Sequence, residues 1–435
     1  MHSLLRKARN LKLKWALTLL LFLLSFAILL LGTIFRHAEL IGRRATASGS
    51  CKDCLDLQLP PTPGKGLNCS LIIRGDRRSL EQASKTEMVH RHQPTTEADY
   101  LNQSRDCRSF RERRRFLPKA PSGAEENFPL AFSMVIHDNI EMFERLLRAL
   151  YVPQNLYCVH VDAKSPPLFQ EAVRVIASCF DNVFVASKLE PVLYSSWSRV
   201  QADLNCMEDL LKSPVPWRYL LNAASTDFPI KTNAEMVRAL RALDGCNSLE
   251  SQLASELKKW RWQRRHEVRD SIFFETQVSK APPPINSPMF TGSAYFVVSR
   301  RFVRALFEDP WARELLEWDK DTFSPEEHLW ATLQRMPGMP GSIPSSAKHD
   351  VSDMKSLARL VKWKDKEGDV NKGASYPPCT GVHRRSVCIY GAGDLHWMLQ
   401  QHHLLANQFD PSVDDTVIQC LEEHLRNKAL KERQP

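Results

Sequence analysis

Hydrophobic and polar positions fall into three zones along this chain. Trp15 to Phe35 is an uncharged run of 21 residues, mostly Leu, Phe, Ala and Ile. At ~1.5 Å rise per residue it spans about 30 Å, the hydrocarbon thickness of a bilayer. Residues 36 to about 125 are mostly polar, with Pro60, Pro61, Pro63, Gly64 and Gly66 clustered, and predict a loosely packed stem. Periodicity starts near Phe128. Ala131 to Ile136 reads as a strand, and Ile140, Phe143, Leu146, Leu147 and Leu150 fall at helical spacing within Asn139 to Tyr151. A second strand, Asn155 to Val161, ends at Asp162. Pro167 to Cys179 is a helix with Ala172, Val173, Ile176 and Ala177 on one face, and Asn182 to Ala186 a third strand. Ser198 to Leu211 and Asn233 to Leu243 continue as helices, Trp217 to Leu221 and Ala294 to Ser299 as strands. This alternation predicts an α/β domain with a mostly parallel central sheet. Ligands of such sheets bind outside the carboxyl ends of the strands, where Asp162 falls.

Charge orients the apolar run. Arg6, Lys7, Arg9, Lys12 and Lys14 precede it without an acid, whereas Glu39 dilutes Arg36, Arg43 and Arg44 after it. The positive-inside rule predicts a single-pass type II protein: tail 1–14 in the cytosol, anchor 15–35, lumenal stem 36–125 and a folded lumenal domain 126–435. A cleaved signal peptide fits less well. Its apolar region is about 7–15 residues, and the cleavage-like Ala45-Thr46-Ala47 lies far beyond this run.

The net charge of +9 invites a nucleic-acid reading, with Arg105 to Arg115 as the patch. Five of those positive charges sit in the predicted tail, and a secretory lumen holds no nucleic acid, so that partner is excluded. Attraction to anionic sugar nucleotides or sialylated partners is left. Eleven cysteines in an oxidising compartment should mostly pair, and the odd count leaves a free thiol or an intermolecular bridge. Asn68-Cys69-Ser70 and Asn102-Gln103-Ser104 are glycosylation sequons.

Familiar phosphate cradles and nucleophile elbows are absent from the sequence. A lumenal α/β protein on a stalk points to a Golgi glycosyltransferase, many of which hold a metal through Asp-x-Asp at a strand end. Asp319-Lys320-Asp321 instead follows the helical stretch Trp311 to Trp318 and reads as a helix end. Fixed cations are the alternative for a diphosphate, and Arg384 and Arg385 lie between Cys379 and Cys388. Ser324-Pro325-Glu326-Glu327 before Leu329 to Leu333 predicts a capped helix start, with Ser324 at the cap and Glu327 at the third position. An ionised carboxylate there also suits a base for an acceptor hydroxyl. Glu256 to His266 mixes Trp with cations, a composition suited to sugar recognition.

These residues carry a resemblance. Ser133-Met-Val-Ile-His137, Tyr157-Cys-Val-His-Val-Asp162, Ser196 to Cys206, Asp227-Phe-Pro-Ile-Lys231, Thr291-Gly-Ser-Ala-Tyr295, Glu327-His-Leu-Trp-Ala-Thr332 and Tyr390-Gly-Ala-Gly-Asp394 are similar to the core 2 β-1,6-N-acetylglucosaminyltransferase family. Gln201 to Leu211 and Val215-Pro216-Trp217 look most like its mucin-type (core 2/core 4) member. The resemblance runs from Phe128 to Leu430. It implies a GT-A-like fold, a Golgi membrane location, a UDP-GlcNAc donor, inversion at the anomeric carbon, no metal or other cofactor, and mucin-type O-glycan acceptors branched to core 2, core 4 and I structures. It pairs Cys69 with Cys420, Cys107 with Cys179, Cys158 with Cys206 and Cys379 with Cys388. Cys51, Cys54 and Cys246 are left over, with a homodimer through the stem cysteines as one use.

Position by position, the resemblance puts Val135, Asp162 and Tyr194 around the uridine and ribose and Arg385 on the diphosphate. Glu250, Lys258, Arg261 and Trp363 would hold the acceptor sugars, with Glu327 the base for the acceptor's 6-hydroxyl. Two positions depart from the family pattern: Gln408 replaces a lysine, and Asp365 replaces an acceptor-contacting tyrosine. Loss of a charge-assisted contact at 408 would remove about 1.5–3 kcal/mol, unless Arg384, His402 or His403 compensates. The competing expectation is a catalytically attenuated homologue that binds glycans or other Golgi enzymes. A glycosidase using Glu326 and Glu327 fails on geometry, because adjacent helical residues point about 100° apart.

Overall fold

The structure, a computed structural model, describes residues 67–89, 92–119, 122–343 and 355–432. The chain divides into Met1–Asp56 and Leu57–Pro435, and every described residue belongs to the second unit. The predicted tail and anchor, with Cys51 and Cys54, lie outside the described residues. No helix among the described residues is long and apolar enough to cross a membrane.

The architecture is the expected α/β one. Strands β1 (Leu130–Ile136), β2 (Leu156–Val161), β3 (Val183–Val185) and β4 (Tyr219–Ala224) form one sheet with Phe296–Ser299 and Ser248–Leu249. Its order is β3-β2-β1-β4, then Phe296–Ser299, then Ser248–Leu249. The first four strands are parallel, and the last two run antiparallel to their neighbours. β1 and β2 are buried almost throughout, as both-face burial in a parallel sheet requires. Helices Ile140–Leu150 and Pro167–Ser178 bury one apolar face each against the sheet, and Ser198–Lys212 does so from the other side. β1 leads to β2 on one flank while β4 lies on the other, so the strand order reverses beside β1. A ligand crevice is expected outside the carboxyl ends there.

Two expectations need correction. Residues 69–119 are not a loose stem. Helices Cys69–Ile73, Arg77–Val89, Glu97–Gln103 and Cys107–Arg113 pack on the domain, with Tyr100 and Phe110 fully buried. Polar composition concealed this because the segment buries charges as pairs. Glu144 is sealed between Arg114 and Arg148, while Arg145 binds Asp415 and Glu422. Burial would push the Glu144 carboxyl up, but the two guanidiniums hold it down, to about 2. The second correction concerns Ala294 to Ser299, whose strand is shorter and antiparallel to β4.

All four disulfides implied by the resemblance are present: Cys69–Cys420, Cys107–Cys179, Cys158–Cys206 and Cys379–Cys388. Cys246 is free and exposed. Asn68 caps helix Cys69–Ile73 through its side-chain oxygen, and Asn102 lies exposed on helix Glu97–Gln103.

His92 closes the same ionic cluster, within 2.7 Å of Glu141 and 3.5 Å of Asp415. Its bonds to Asp415 and Glu141 outweigh burial and raise its pKa to about 9 from 6.5. A raised histidine stabilises fully below the unfolded value and loses that contribution as pH climbs through the folded one. The domain should therefore lose about 1–2 kcal/mol between pH 6.5 and pH 9 that a His92→Gln variant does not lose. Urea midpoints of both proteins across that range check this, and parallel curves would refute it.

Candidate active site

The residues expected on the donor side stand at the carboxyl ends of β1 and β2. Val135 sits one residue before the end of β1, paired with His160. Asp162 follows β2 directly, and its amide donates to the Ile136 carbonyl (2.9 Å). Its carboxylate accepts from the amides of Lys164 (2.8 Å) and Val192 (3.3 Å), which ties the strand end to the segment leading to Tyr194. Tyr194 is 75% exposed, unusual for so large a ring, and the Arg385 guanidinium lies over it at 5.4 Å. The ring and the guanidinium form a cation–π pair on the surface.

Arg385 is presented by a tight hairpin, Val382–Arg384 with Val387–Ile389. Arg385 and Ser386 form its two-residue turn, both with positive φ (50° and 64°). This is the turn type that suits hairpins but normally asks for Asn or Gly. A bulky cation held in that conformation is strained, and such strain marks functional sites. The Cys379–Cys388 bridge staples the hairpin. Among the described residues no carboxylate lies within ion-pair range of Arg385, whereas Arg384 is committed to Asp410 (2.7 Å). Gln408 flanks the same hairpin, its carbonyl accepting from the Tyr390 amide (3.0 Å). Of the cations that could compensate for Gln408, Arg384 is thus engaged, and His403 is buried against His402.

The residues expected on the acceptor side gather near Glu327, and here the capping expectation fails. Ser324 takes a left-handed conformation (φ 47°), makes no side-chain cap, and a short 3-10 turn, Pro325–Glu327, replaces the first helical turn. The helix proper is Leu329–Leu333. Released from capping, the Glu327 carboxylate reaches the Arg261 guanidinium at 2.6 Å and stays 42% exposed. Arg261 is itself wedged against Trp260 and Phe323. The Lys258 ammonium lies 3.5 Å from the Thr291 hydroxyl. Next along the chain, the Gly292 amide donates to the Glu327 carbonyl (2.8 Å). A Cβ added at 292 would stand 2.0 Å from the Glu250 carbonyl oxygen, so glycine alone lets these backbones meet. Trp363 is 39% exposed and bridges Val387, which puts it against the hairpin that carries Arg385. Asp365 lies exposed in the adjoining turn Lys364–Lys366.

Sequence reasoning missed three contributors. Ser195, left-handed at φ 61°, accepts through its carbonyl from the Ser324 amide (2.8 Å). That bond ties the Tyr194 segment to the Glu327 turn, joining the two halves of the site. Gly292 is the second. The third is Glu326, one of whose carboxylate oxygens is buried without a partner. Burial pushes its carboxyl up to about 7, although Arg199 draws it down. Ionisation of Glu326 puts a second negative charge beside Glu327. Turnover should therefore show an inflection near pH 7 that disappears in Glu326→Gln; identical pH–rate profiles would reject that coupling.

Asp319 and Asp321 each have side-chain partners, although Oδ2 of Asp319 is buried without one. Asp319 is fully buried on His328 (2.8 Å) and Thr322, and Asp321 pairs with Lys280 and Arg265. Glu367, Cys379 and Cys388 converge, but both sulfurs are spent in the disulfide and offer no thiolate.

The family profile described as "Branch: Core-2/I-Branching enzyme" matches residues 130–399. The chain is 59% identical over 385 residues to the Bos taurus beta-1,3-galactosyl-O-glycosyl-glycoprotein beta-1,6-N-acetylglucosaminyltransferase 3, covering 88% of this chain and 87% of the relative. Identity is 60% to a Bovine herpesvirus 4 (strain DN-599) protein of the same name without the numeral, with the same coverage. A Rattus norvegicus relative, also named as beta-1,6-N-acetylglucosaminyltransferase 3, is 57% identical over 382 residues, 87% of each chain.

Proposed function

The chain belongs to the Core-2/I-branching enzyme family, and from that premise we propose that it transfers N-acetylglucosamine from UDP-GlcNAc, in β-1,6 linkage, to the N-acetylgalactosamine of mucin-type core 1 and core 3 O-glycans. Core 2 and core 4 branches would be the products, with I branches as a further one. It is a β-1,6-N-acetylglucosaminyltransferase. The attenuated-homologue reading is not favoured, because relatives 57–60% identical across nearly nine-tenths of the chain are named as such transferases.

The observation that carries the site assignment is the 2.8 Å bond from the Ser324 amide to the Ser195 carbonyl, which ties the turn bearing Glu327 to the segment bearing Tyr194, over whose ring Arg385 lies. Glu327 takes the proton of the acceptor's 6-hydroxyl. That oxygen attacks C1 of the donor sugar from the face opposite the diphosphate, and the C1–O bond to UDP breaks. One displacement inverts the anomeric carbon and leaves the proton on Glu327. Arg261 fixes the orientation of the carboxylate through their 2.6 Å contact. Glu250, Lys258, Arg261 and Trp363 hold the acceptor sugars. Val135, Asp162 and Tyr194 hold the uridine and ribose, and Arg385 meets the charge that grows on the departing diphosphate.

A cation-held diphosphate needs no metal, and the burial of Asp319 on His328 and Thr322 and the pairing of Asp321 with Lys280 and Arg265 support this reading. The full chain in detergent should form a β-1,6 branch from UDP-GlcNAc and Galβ1-3GalNAc in excess EDTA at the rate seen with added Mn²⁺. Activity that EDTA abolishes and Mn²⁺ restores would overturn the metal-free reading. Glycans on Asn68 and Asn102, a type II anchor at residues 15–35 in the Golgi membrane and a dimer through Cys51 or Cys54 complete the proposal.

A further inference from the structure

A concavity of about 610 Å³ opens at the edge of the central sheet opposite the candidate site. β1 and β4 begin there, with Leu130 level with Tyr219, whereas the catalytic candidates stand at the other end, beyond the pairing of Val135 with Ala224. Five residues of strand separate the two edges by roughly 15–20 Å. Arg218, Arg241, Arg300, Arg301 and Arg304 surround the groove, and Asp244 is the one acid in its lining.

Two of these arginines have local work. Arg300 donates to the Val215 and Ser213 carbonyls (3.1 and 3.3 Å) and lies over Trp217, clamping the end of helix Ser198–Lys212. Arg241 donates to the Ala124 carbonyl (2.7 Å) and lies over Phe128. The other three, all exposed, have no such role. Among the described residues no carboxylate lies within ion-pair range of Arg218 or Arg301. Arg304 reaches only Glu308, at 4.0 Å. Arg301 extends toward the Asp244–Gly245 turn, its terminal nitrogen 3.1 Å from where a Cβ on Gly245 would stand.

The placement is electrostatically unfavourable as it stands. Arg300 and Arg301 open helix Arg300–Glu308, whose first turn carries no acid, so two cations meet the positive end of the helix dipole. Natural sequences tolerate a local conflict of this kind where function needs it. An anion in the groove would relieve both the dipole conflict and the repulsion among the guanidiniums.

We propose that this groove binds an anionic glycan, a short saccharide bearing carboxylate or sulfate groups, at a site remote from the catalytic one. The five cations are all arginine, whose planar fork matches those oxyanions in pairs. Asp244 supplies an acceptor for sugar hydroxyls. β4 is paired on both sides, by β1 and by Phe296–Ser299, so this edge offers no free strand on which an acidic peptide could add its backbone. The volume suits a ligand of a few sugar rings.

Titration of the full chain with sialyllactose, lactose and a hexaglutamate peptide tests this independently of the catalytic reading. Sialyllactose should bind and lactose should not. The double variant Arg301→Ala/Arg304→Ala should weaken binding by roughly tenfold or more, as should ~0.5 M salt. Turnover on neutral Galβ1-3GalNAc and the thermal midpoint should be unchanged in that variant. No binding of sialyllactose, equal binding of lactose, or an affinity that the variant leaves untouched would overturn the proposal. Tighter binding of hexaglutamate than of sialyllactose would overturn it too, in favour of an acidic polypeptide.

Discussion

Glu327→Gln is expected to lower turnover by about 10²–10⁴-fold, the range a lost general base produces. The amide keeps the shape of the carboxylate and can still accept from Arg261, so the change removes proton affinity more than structure. The contact it alters is 42% exposed on the Glu327 side, and exposed pairs contribute about 0–1 kcal/mol, so the fold should survive. UDP-GlcNAc affinity should stay within about threefold of wild type, because the proposed base acts on the chemical step alone. Turnover at saturating substrates, with donor binding and thermal unfolding as controls, checks all three expectations. A folded variant that turns over within tenfold of wild type would remove Glu327 from the mechanism.

Gly292→Ala should be the second most damaging change, although residue 292 presents no functional group. Its Cβ would stand 2.0 Å from the Glu250 carbonyl oxygen, 2.7 Å from that carbonyl carbon and 3.3 Å from the Ala331 side chain. Backbone cannot yield as a flexible side chain does, so the Glu250 and Gly292 segments must move apart. The hydrogen bond that the Gly292 amide donates to the Glu327 carbonyl, 2.8 Å long, is displaced with them. One methyl group thus shifts a proposed acceptor ligand and the proposed base in different directions. A misplacement of ~1 Å can lower a rate by about 10²-fold, and over-packing costs about 1–3 kcal/mol of stability. The loss should appear in kcat/KM for the acceptor and leave the KM for UDP-GlcNAc nearly unchanged, because the donor residues hang on other segments. Steady-state kinetics with each substrate varied separates the two. Wild-type acceptor kinetics in Gly292→Ala would show that the close approach has no bearing on the site.

Both expectations rest on contacts between distant parts of the chain, and legibility in the sequence divides along that line. The repeat of apolar positions in Ile140 to Leu150 and Pro167 to Ser178 is a property of each helix alone, and the structure keeps it. The same holds for β1 and β2, whose short, mostly apolar segments predict strands, and the structure keeps them. Disulfide partners were not legible in the eleven cysteines themselves; the family resemblance implied them. The packing of the N-terminal segment 69–119 was hidden because its charges find partners some 30 to 300 residues away, as Arg114 does in Glu144 and His92 in Asp415. Composition counts those charges as solvated, and only a folded chain neutralises them.

Glu327 shows the division within one residue. Its local sequence, Ser-Pro-Glu-Glu before an apolar run, predicts a capped helix. By itself that sequence determined that an acidic turn would precede Leu329–Leu333. Tertiary structure decided the rest, drawing the Ser324 amide to the Ser195 carbonyl and turning Ser324 left-handed, which frees the carboxylate for Arg261. Arg385 followed the same course: the sequence determined a cation between two cysteines, and the fold set it at a strained turn over Tyr194. Periodicity, anchor-length hydrophobicity and sequons are encoded in a few neighbouring residues. The meeting of Tyr194, Glu327, Arg261 and Gly292 depends on packing between segments as much as 130 positions apart, and no local pattern records which of them will touch.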